Sequence, residues 1–393
     1  MKIAIIDADL IGRNKHRFPN LACMKISGYY KSQGHEVVLK LNYLLLHKYD
    51  KVFISKVFTD TPIKQGVLDL PNVEYGGTGF FYDKAPKLPC YIEHSFPDYH
   101  LYDKWVESEL KRGVSKTSLK YYTDYSIGFT TRGCFRQCQF CVNRNYKKVE
   151  IHSPLSEFYD ESRPKICLLD DNVLGYPQWK EIFESLIATN KPFQYKQGMD
   201  ERILTDEKCE VLAKCKYDGD YIFAFDNIED KDIIIKKLDL LRKWMPNKKL
   251  KFYVFCAFDR QDKWDYSFWR QDIIDIFERL TILGRYRCYP YLMRYKEYEN
   301  SPFKGIYITL SAWCNQPNVF YKMSFIEFCK KKGISPSVYE KYKDNFEAYI
   351  EDGYTKQSPW KYLDEFTELE PEIANRYFNK CLWDGSKEGG ING

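Results

Sequence analysis

Tyr125-Ser-Ile-Gly-Phe-Thr130 runs directly into Thr131-Arg-Gly-Cys134-Phe-Arg-Gln-Cys138-Gln-Phe-Cys141, and this stretch decides how the chain is read. The first segment is short, apolar and β-prone, as a buried strand should be. The second puts three cysteines in one loop just past the strand's end. Three thiolates hold three corners of a cubane iron–sulfur cluster and leave its fourth iron without a protein ligand, whereas ferredoxin spacings supply four cysteines. A structural zinc site is the competing reading, but it is normally closed by four ligands at short spacings. After Cys141 the nearest candidates, His152 and Cys167, stand at no familiar zinc spacing. The thirteen cysteines are an odd number without a secretion signal, which argues against a disulfide framework.

Downstream of this loop strand and helix patterns alternate. Strands are predicted at Tyr125–Thr130, Ile166–Leu169, Phe193–Gln197, Tyr221–Phe225, Phe252–Cys256 and Cys288–Leu292. Between them Trp179, Ile182, Phe183, Leu186 and Ile187 have the spacing of a buried helical stripe, as do Ile273, Ile276, Phe277 and Leu280. Six strands with crossover helices imply an α/β fold, a partial barrel or open parallel sheet. In such folds chemistry collects at the C-terminal ends of the strands, where the cysteine loop begins.

Spacing and context together resemble the cluster loop of the radical S-adenosylmethionine (SAM) superfamily, over about residues 123–310. The resemblance implies a partial (β/α)6 barrel and a [4Fe–4S] cluster on Cys134, Cys138 and Cys141. It also implies SAM chelated to the open iron and cleaved reductively to a 5′-deoxyadenosyl radical, with a reducing partner such as flavodoxin or ferredoxin. Four strand ends match places where this family holds SAM. Asp170, Asp171 and Asn172 are expected to receive its amino group, with a plain strand exit as the alternative. Gln197, Asp200 and Arg202 are expected on ribose and carboxylate, against an ordinary Asp200–Arg202 surface pair. Phe225 and Asp226 are expected at the cofactor unless Phe225 is core. Met293 is expected at adenine or substrate, and Phe140 beside the adenine. Catalytic residues beyond these are not assigned.

Residues 1–105 carry a second α/β pattern, with strands expected at Lys2–Asp7, Glu36–Leu41, Lys51–Ser55 and Val73–Tyr75 and a helix over Leu21–Ser32. This resembles the Rossmann-like, cobalamin-binding domain of many radical SAM enzymes. The motif Asp-x-His-x-x-Gly is absent, so bound cobalamin is the minority expectation. Gly76-Gly-Thr-Gly79 is a loop where backbone can approach a ligand closely. Residues 106–122, rich in lysine, read as a linker. Residues 311–393 read as a helical extension, with segments over 324–350 and 359–380 and a flexible tail.

Net charge is +5 and dispersed, so lysine runs are read as solvated faces rather than a nucleic-acid patch. No run is long and apolar enough to cross a bilayer, and a cytoplasmic location is expected, where thiols stay reduced. The leading expectation is a radical SAM enzyme acting on a small molecule, peptide or nucleic acid. The alternatives are a cobalamin-dependent radical SAM methyltransferase and a zinc- or Fe–S-stabilised nucleic-acid-binding protein.

Overall fold

The computed structural model describes residues 1–13, 16–332 and 359–383. The chain divides into two compact units, Met1–Gln197 with Cys215–Asp218, and Gly198–Lys214 with Gly219–Gly393.

In the first unit β1 (Lys2–Asp7), β2 (Glu36–Leu39), β3 (Lys51–Ser55) and β4 (Val73–Gly76) form a parallel sheet in the order β2-β1-β3-β4. Side-chain alternation assigns its faces. Ile3, Ile5 and Phe53 pack with Met24, Ile26 and Tyr30 of the helix Leu21–Ser32. Ala4, Ile6, Val52 and Ile54 pack with Leu46 and Val67 on the other side. Burial on both faces is why β1 reads as a nearly continuous apolar run. The Asn20 side chain caps the helix by accepting from Cys23 N.

The stretch 106–122 is not a linker. Asp103–Lys111 and Lys116–Thr123 are helices, and Trp105, Val106, Leu119 and Tyr122 enter the same core as Ile3 and Ile5. Lys111 and Lys116 lie on the solvent side of these amphipathic helices, so the lysines mark an outer face and not a tether.

The first unit continues with β5 (Tyr125–Gly128), β6 (Thr131–Arg132), β7 (Glu150–Ile151), β8 (Lys165–Leu168) and β9 (Phe193–Tyr195). A parallel sheet runs β5-β8-β9, and β6 pairs antiparallel with β7, so the cysteine loop springs from a two-stranded ribbon. In the second unit β10 (Tyr221–Ala224), β11 (Leu250–Cys256) and β12 (Cys288–Arg294) form another parallel sheet.

All six predicted strands are therefore present near their expected bounds, in two three-stranded ladders instead of one run. The ladder of the first unit stops because Lys216–Asp218 occupies the edge of β9. Phe193 N donates to Lys216 O (3.0 Å) and Asp218 N to Phe193 O (2.8 Å). The C-terminal region holds the helices Lys304–Cys314, Phe325–Lys332, Pro359–Leu369 and Pro371–Tyr377. The predicted helical span 333–350 and the tail after 383 lie outside the described residues. Among the described residues no helix is long and apolar enough to cross a membrane.

Candidate metal centre

Three consecutive residues past β8 divide the work of holding the cysteine loop. Asp170, 2% exposed, is saturated. Its carboxylate accepts from Thr130 N (3.0 Å), Thr130 Oγ1 (2.5 Å), Thr131 N (2.5 Å) and Thr131 Oγ1 (2.7 Å). Burial pushes this carboxyl above its usual range while the four donors pull the other way. Asp171 fastens both ends of the loop, accepting from Gly133 N (2.8 Å) and Asn143 Nδ2 (2.6 Å). Burial raises its carboxyl as well.

Gly133 has φ +93°, and a Cβ there would lie 2.5 Å from Lys148 O, so only glycine suits this entry to the loop. Within the loop Cys141 N donates to Cys138 O (2.9 Å), forming a turn that brings two thiols onto one short arc. Phe135 is pinned against Gly175, where a Cβ would meet its ring at 2.7 Å.

Amides face the sulfurs of Cys134 and Cys141. Arg136 N and Asn172 Nδ2 each lie 3.4 Å from Cys134 Sγ, and Asn143 N lies 3.4 Å from Cys141 Sγ. Such N–H···S bonds stabilise thiolate charge and tune cluster potentials. All three cysteines are half-buried thiols. Among the described residues no three His, Cys, Asp or Glu side chains converge as ligands of a single ion. Cubane thiolates bind three different irons and need no common point, and the chemistry that suits a cluster here is three thiols in one loop with N–H donors at Cys134 and Cys141.

Asn172 is the third member of the strand end. It is 3% exposed, and its Oδ1 has no hydrogen-bond partner among the described residues. A buried acceptor left open costs free energy unless something donates to it. Of the three residues expected at the SAM amino group, two spend their carboxylates on the protein's own backbone N–H groups, hydroxyls and the Asn143 amide. Of the three, only Asn172 keeps an open acceptor, and it does so beside Cys134 of the loop. The turn-former alternative describes Asp170 and Asp171 incompletely, since each anchors a distant segment.

The other predicted site residues fall elsewhere. Gln197 is exposed at the end of the first unit. Asp200, Arg202, Phe225, Asp226 and Met293 belong to the second. There Arg202 Nε meets Asp200 (2.9 Å) and its Nη1 meets Asp230 (2.9 Å), with Asp200 buried. The Asp200–Arg202 pair is thus real but internal, and it commits much of the Arg202 fork to the protein itself. Phe225 is core at 1% exposure. Asp226 accepts from Phe255 N (3.0 Å), and burial pushes its carboxyl up to about 6. Met293 is half-buried on β12 and its carbonyl accepts from Cys256 Sγ (3.4 Å).

Sequence reasoning missed several contributors. Thr130, Thr131 and Asn143 carry no signal apart from their partners. Arg279 does carry one, a cation inside the stripe Ile276, Phe277 and Leu280. It is buried and its Nη1 donates to the carbonyls of Phe225 (3.1 Å), Asp226 (2.7 Å) and Phe255 (2.8 Å), tying two strand ends together.

Glu201 was also overlooked. It is 1% exposed, Oε2 accepts from Ala224 N (3.1 Å), and burial pushes its carboxyl up to about 8. The folded state thus holds a proton that the unfolded chain releases near pH 4.5. Between those values the native state binds more protons, so stability falls as pH rises and levels off above about 8. Glu201→Gln mimics the neutral form. Its stability relative to the parent should climb from pH 5 to pH 8 in urea unfolding, and a pH-independent difference would refute the assignment.

No protein-family model matches the chain, and no curated protein sequence does. Among solved structures it is similar to the cobalamin-dependent S-adenosylmethionine radical enzyme OxsB with aqua-cobalamin bound, at 13% identity and a TM-score of 0.36. It is likewise similar to the apo, selenomethionine-labelled form of that enzyme, at 14% identity and a TM-score of 0.35. In each case 94% of this chain is covered but only 61% of the other, so the chain spans about three fifths of the length of the structures it matches.

Proposed function

We infer that the chain is a radical SAM enzyme whose cluster is held by Cys134, Cys138 and Cys141. The observation that carries this reading is the division of labour at the β8 end. Two carboxylates lock the three-cysteine loop, amides face its sulfurs, and Asn172 alone offers an open buried acceptor next to Cys134. A bound [4Fe–4S] cluster with SAM supplies the electron and the radical precursor. The protein's part is to hold three thiolates, present Asn172 Oδ1 to an ammonium donor, and keep water from the reacting centre. Substrate class stays open because one scaffold serves many chemistries.

Cobalamin is not part of this reading. A Cβ on Gly77 would lie 2.3 Å from Lys56 O, and one on Gly79 would lie 2.8 Å from Phe58 O. What approaches these glycines is the chain's own β3 exit, so the loop offers no argument for a corrin.

The test is dithionite-reduced, anaerobically reconstituted protein incubated with SAM. 5′-Deoxyadenosine should accumulate slowly even without substrate. Asn172→Ala should weaken SAM binding about tenfold, the worth of one hydrogen bond to a charged group, while iron content stays at the parent level. SAM binding unchanged in that variant would remove Asn172 from the site, and no deoxyadenosine from the parent protein would remove the function.

A further inference from the structure

The Gly76–Gly79 loop has a role that cofactor binding does not explain. Its glycines let the chain tuck beneath the exit of β3. Lys56 N donates to Gly76 O (3.1 Å), Gly79 N to Lys56 O (2.9 Å), and Thr78 Oγ1 to Val57 O (3.0 Å). Gly77 takes φ +107°, which a side chain would make costly. The turn that follows, Tyr82-Asp83, is thereby delivered to the cysteine loop within the same unit.

The bonds it makes there are specific. Tyr82 Oη donates to Phe140 O (2.8 Å), the carbonyl just before Cys141. Asp83 accepts from Arg144 Nε (2.8 Å) and from Asn145 Nδ2 (3.3 Å), and the Asp83 carbonyl accepts from Asn145 Nδ2 (3.2 Å). Arg144 in turn donates from Nη1 to Gln139 O (3.1 Å), carrying the grip back into the loop between Cys138 and Cys141. Tyr82 itself sits at φ +49°, ψ −116°, a strained state for a residue with a side chain. Such strain persists where surrounding bonds over-determine it. The Asp83 side chain is only 9% exposed although it lies in a surface turn.

We propose that Tyr82 and Asp83 are positioning residues that clasp the Phe140–Asn145 side of the cluster loop, so that the N-terminal module sets how tightly the cluster is held. The proposal rests on the cluster reading above. It makes the first eighty-odd residues part of the cluster's housing, independent of any ligand of their own. Asp171 grips the loop where it leaves the ribbon, and Tyr82-Asp83 grips its far side. The two restraints come from different sheets.

The experiment uses full-length protein reconstituted anaerobically, with Tyr82→Phe, Asp83→Asn, Arg144→Ala and the Asp83→Asn/Arg144→Ala pair. Iron per chain, the rate at which a chelator bleaches the visible charge-transfer band, and apoprotein unfolding are each measured. Expected are parent-level iron, parent-like unfolding for Tyr82→Phe, and cluster loss about fivefold faster in Asp83→Asn and Arg144→Ala, the scale of a charge-assisted surface hydrogen bond, and about threefold faster in Tyr82→Phe, which loses one neutral hydrogen bond. The double variant should lose its cluster no faster than the faster single variant, because the two side chains act through one link. Normal loading with unchanged bleaching in Tyr82→Phe and Asp83→Asn overturns this proposal alone. A parent protein that takes up no cluster overturns the underlying reading, and this one with it.

Discussion

Simultaneous replacement of Cys134, Cys138 and Cys141 by alanine is expected to leave a folded, colourless protein that no longer cleaves SAM. The parent should take up about four irons and four sulfides per chain, as a cubane requires. The argument that folding survives comes from the packing. None of the three thiols is fully buried, and the loop's closure depends on Asp171, Gly133 and Asn143 rather than on the sulfurs. Four of the other ten cysteines make an internal control. Cys167, Cys256, Cys288 and Cys314 are buried, and burial raises their thiols, so they remain protonated and poor ligands. Iron and sulfide analysis with visible spectroscopy checks the outcome. A cubane retained at parent stoichiometry in the triple variant would move the site elsewhere in the chain.

Asp170→Ala should have the largest effect on stability. Removing its carboxylate leaves two buried N–H groups and two buried hydroxyls at Thr130 and Thr131 without an acceptor. Stranding buried donors costs roughly 3–5 kcal/mol, a large part of a domain's stability. Asp170→Asn separates the contributions. Its carbonyl can stand in for Oδ1, which takes three of the four bonds, whereas its amide group would face the Thr130 N–H that Oδ2 now accepts. Destabilisation should be about half that of alanine, with cluster loading preserved. Urea unfolding of the two apoproteins measures this. Equal stability of Asp170→Ala and parent would show that the strand exit is held by something else.

Much of this architecture was legible because its signals are local. The continuous apolar run of Lys2–Asp7, the alternation of Leu250–Cys256 and helical stripes such as Ile273–Leu280 follow from which faces are buried, and neighbours in sequence report that. Cysteine spacing is local too. What could not be read was the choice of partner. Asp170, Asp171 and Asn172 are three polar residues in a row, and nothing in their order reveals that two serve the loop while one stays open. Arg202 was read as either a ligand donor or a surface cation. It stands in a half-buried network with Asp200 and Asp230, the latter supplied by a segment distant in sequence. Residues 106–122 misled because lysines stand on the outer face of two short helices whose apolar residues, Val106, Leu119 and Tyr122 among them, turn into the core. Gly77 and Gly79 signalled close approach correctly, but sequence does not say whether a ligand or the chain itself comes near.

The bond pair from Asp171 to Gly133 N and Asn143 Nδ2 has a consequence for how the protein is manufactured. In zinc fingers the metal supplies the folding free energy, and the empty chain has no shape to recognise. Here the ends of the three-cysteine segment are already drawn together by an oxygen-based link, so the entropy of closing that loop is met before any inorganic sulfur arrives. On the function proposed above, assembly of the cluster would follow translation, and a chain that lost it to oxygen would keep the oxygen-based link that closes the loop.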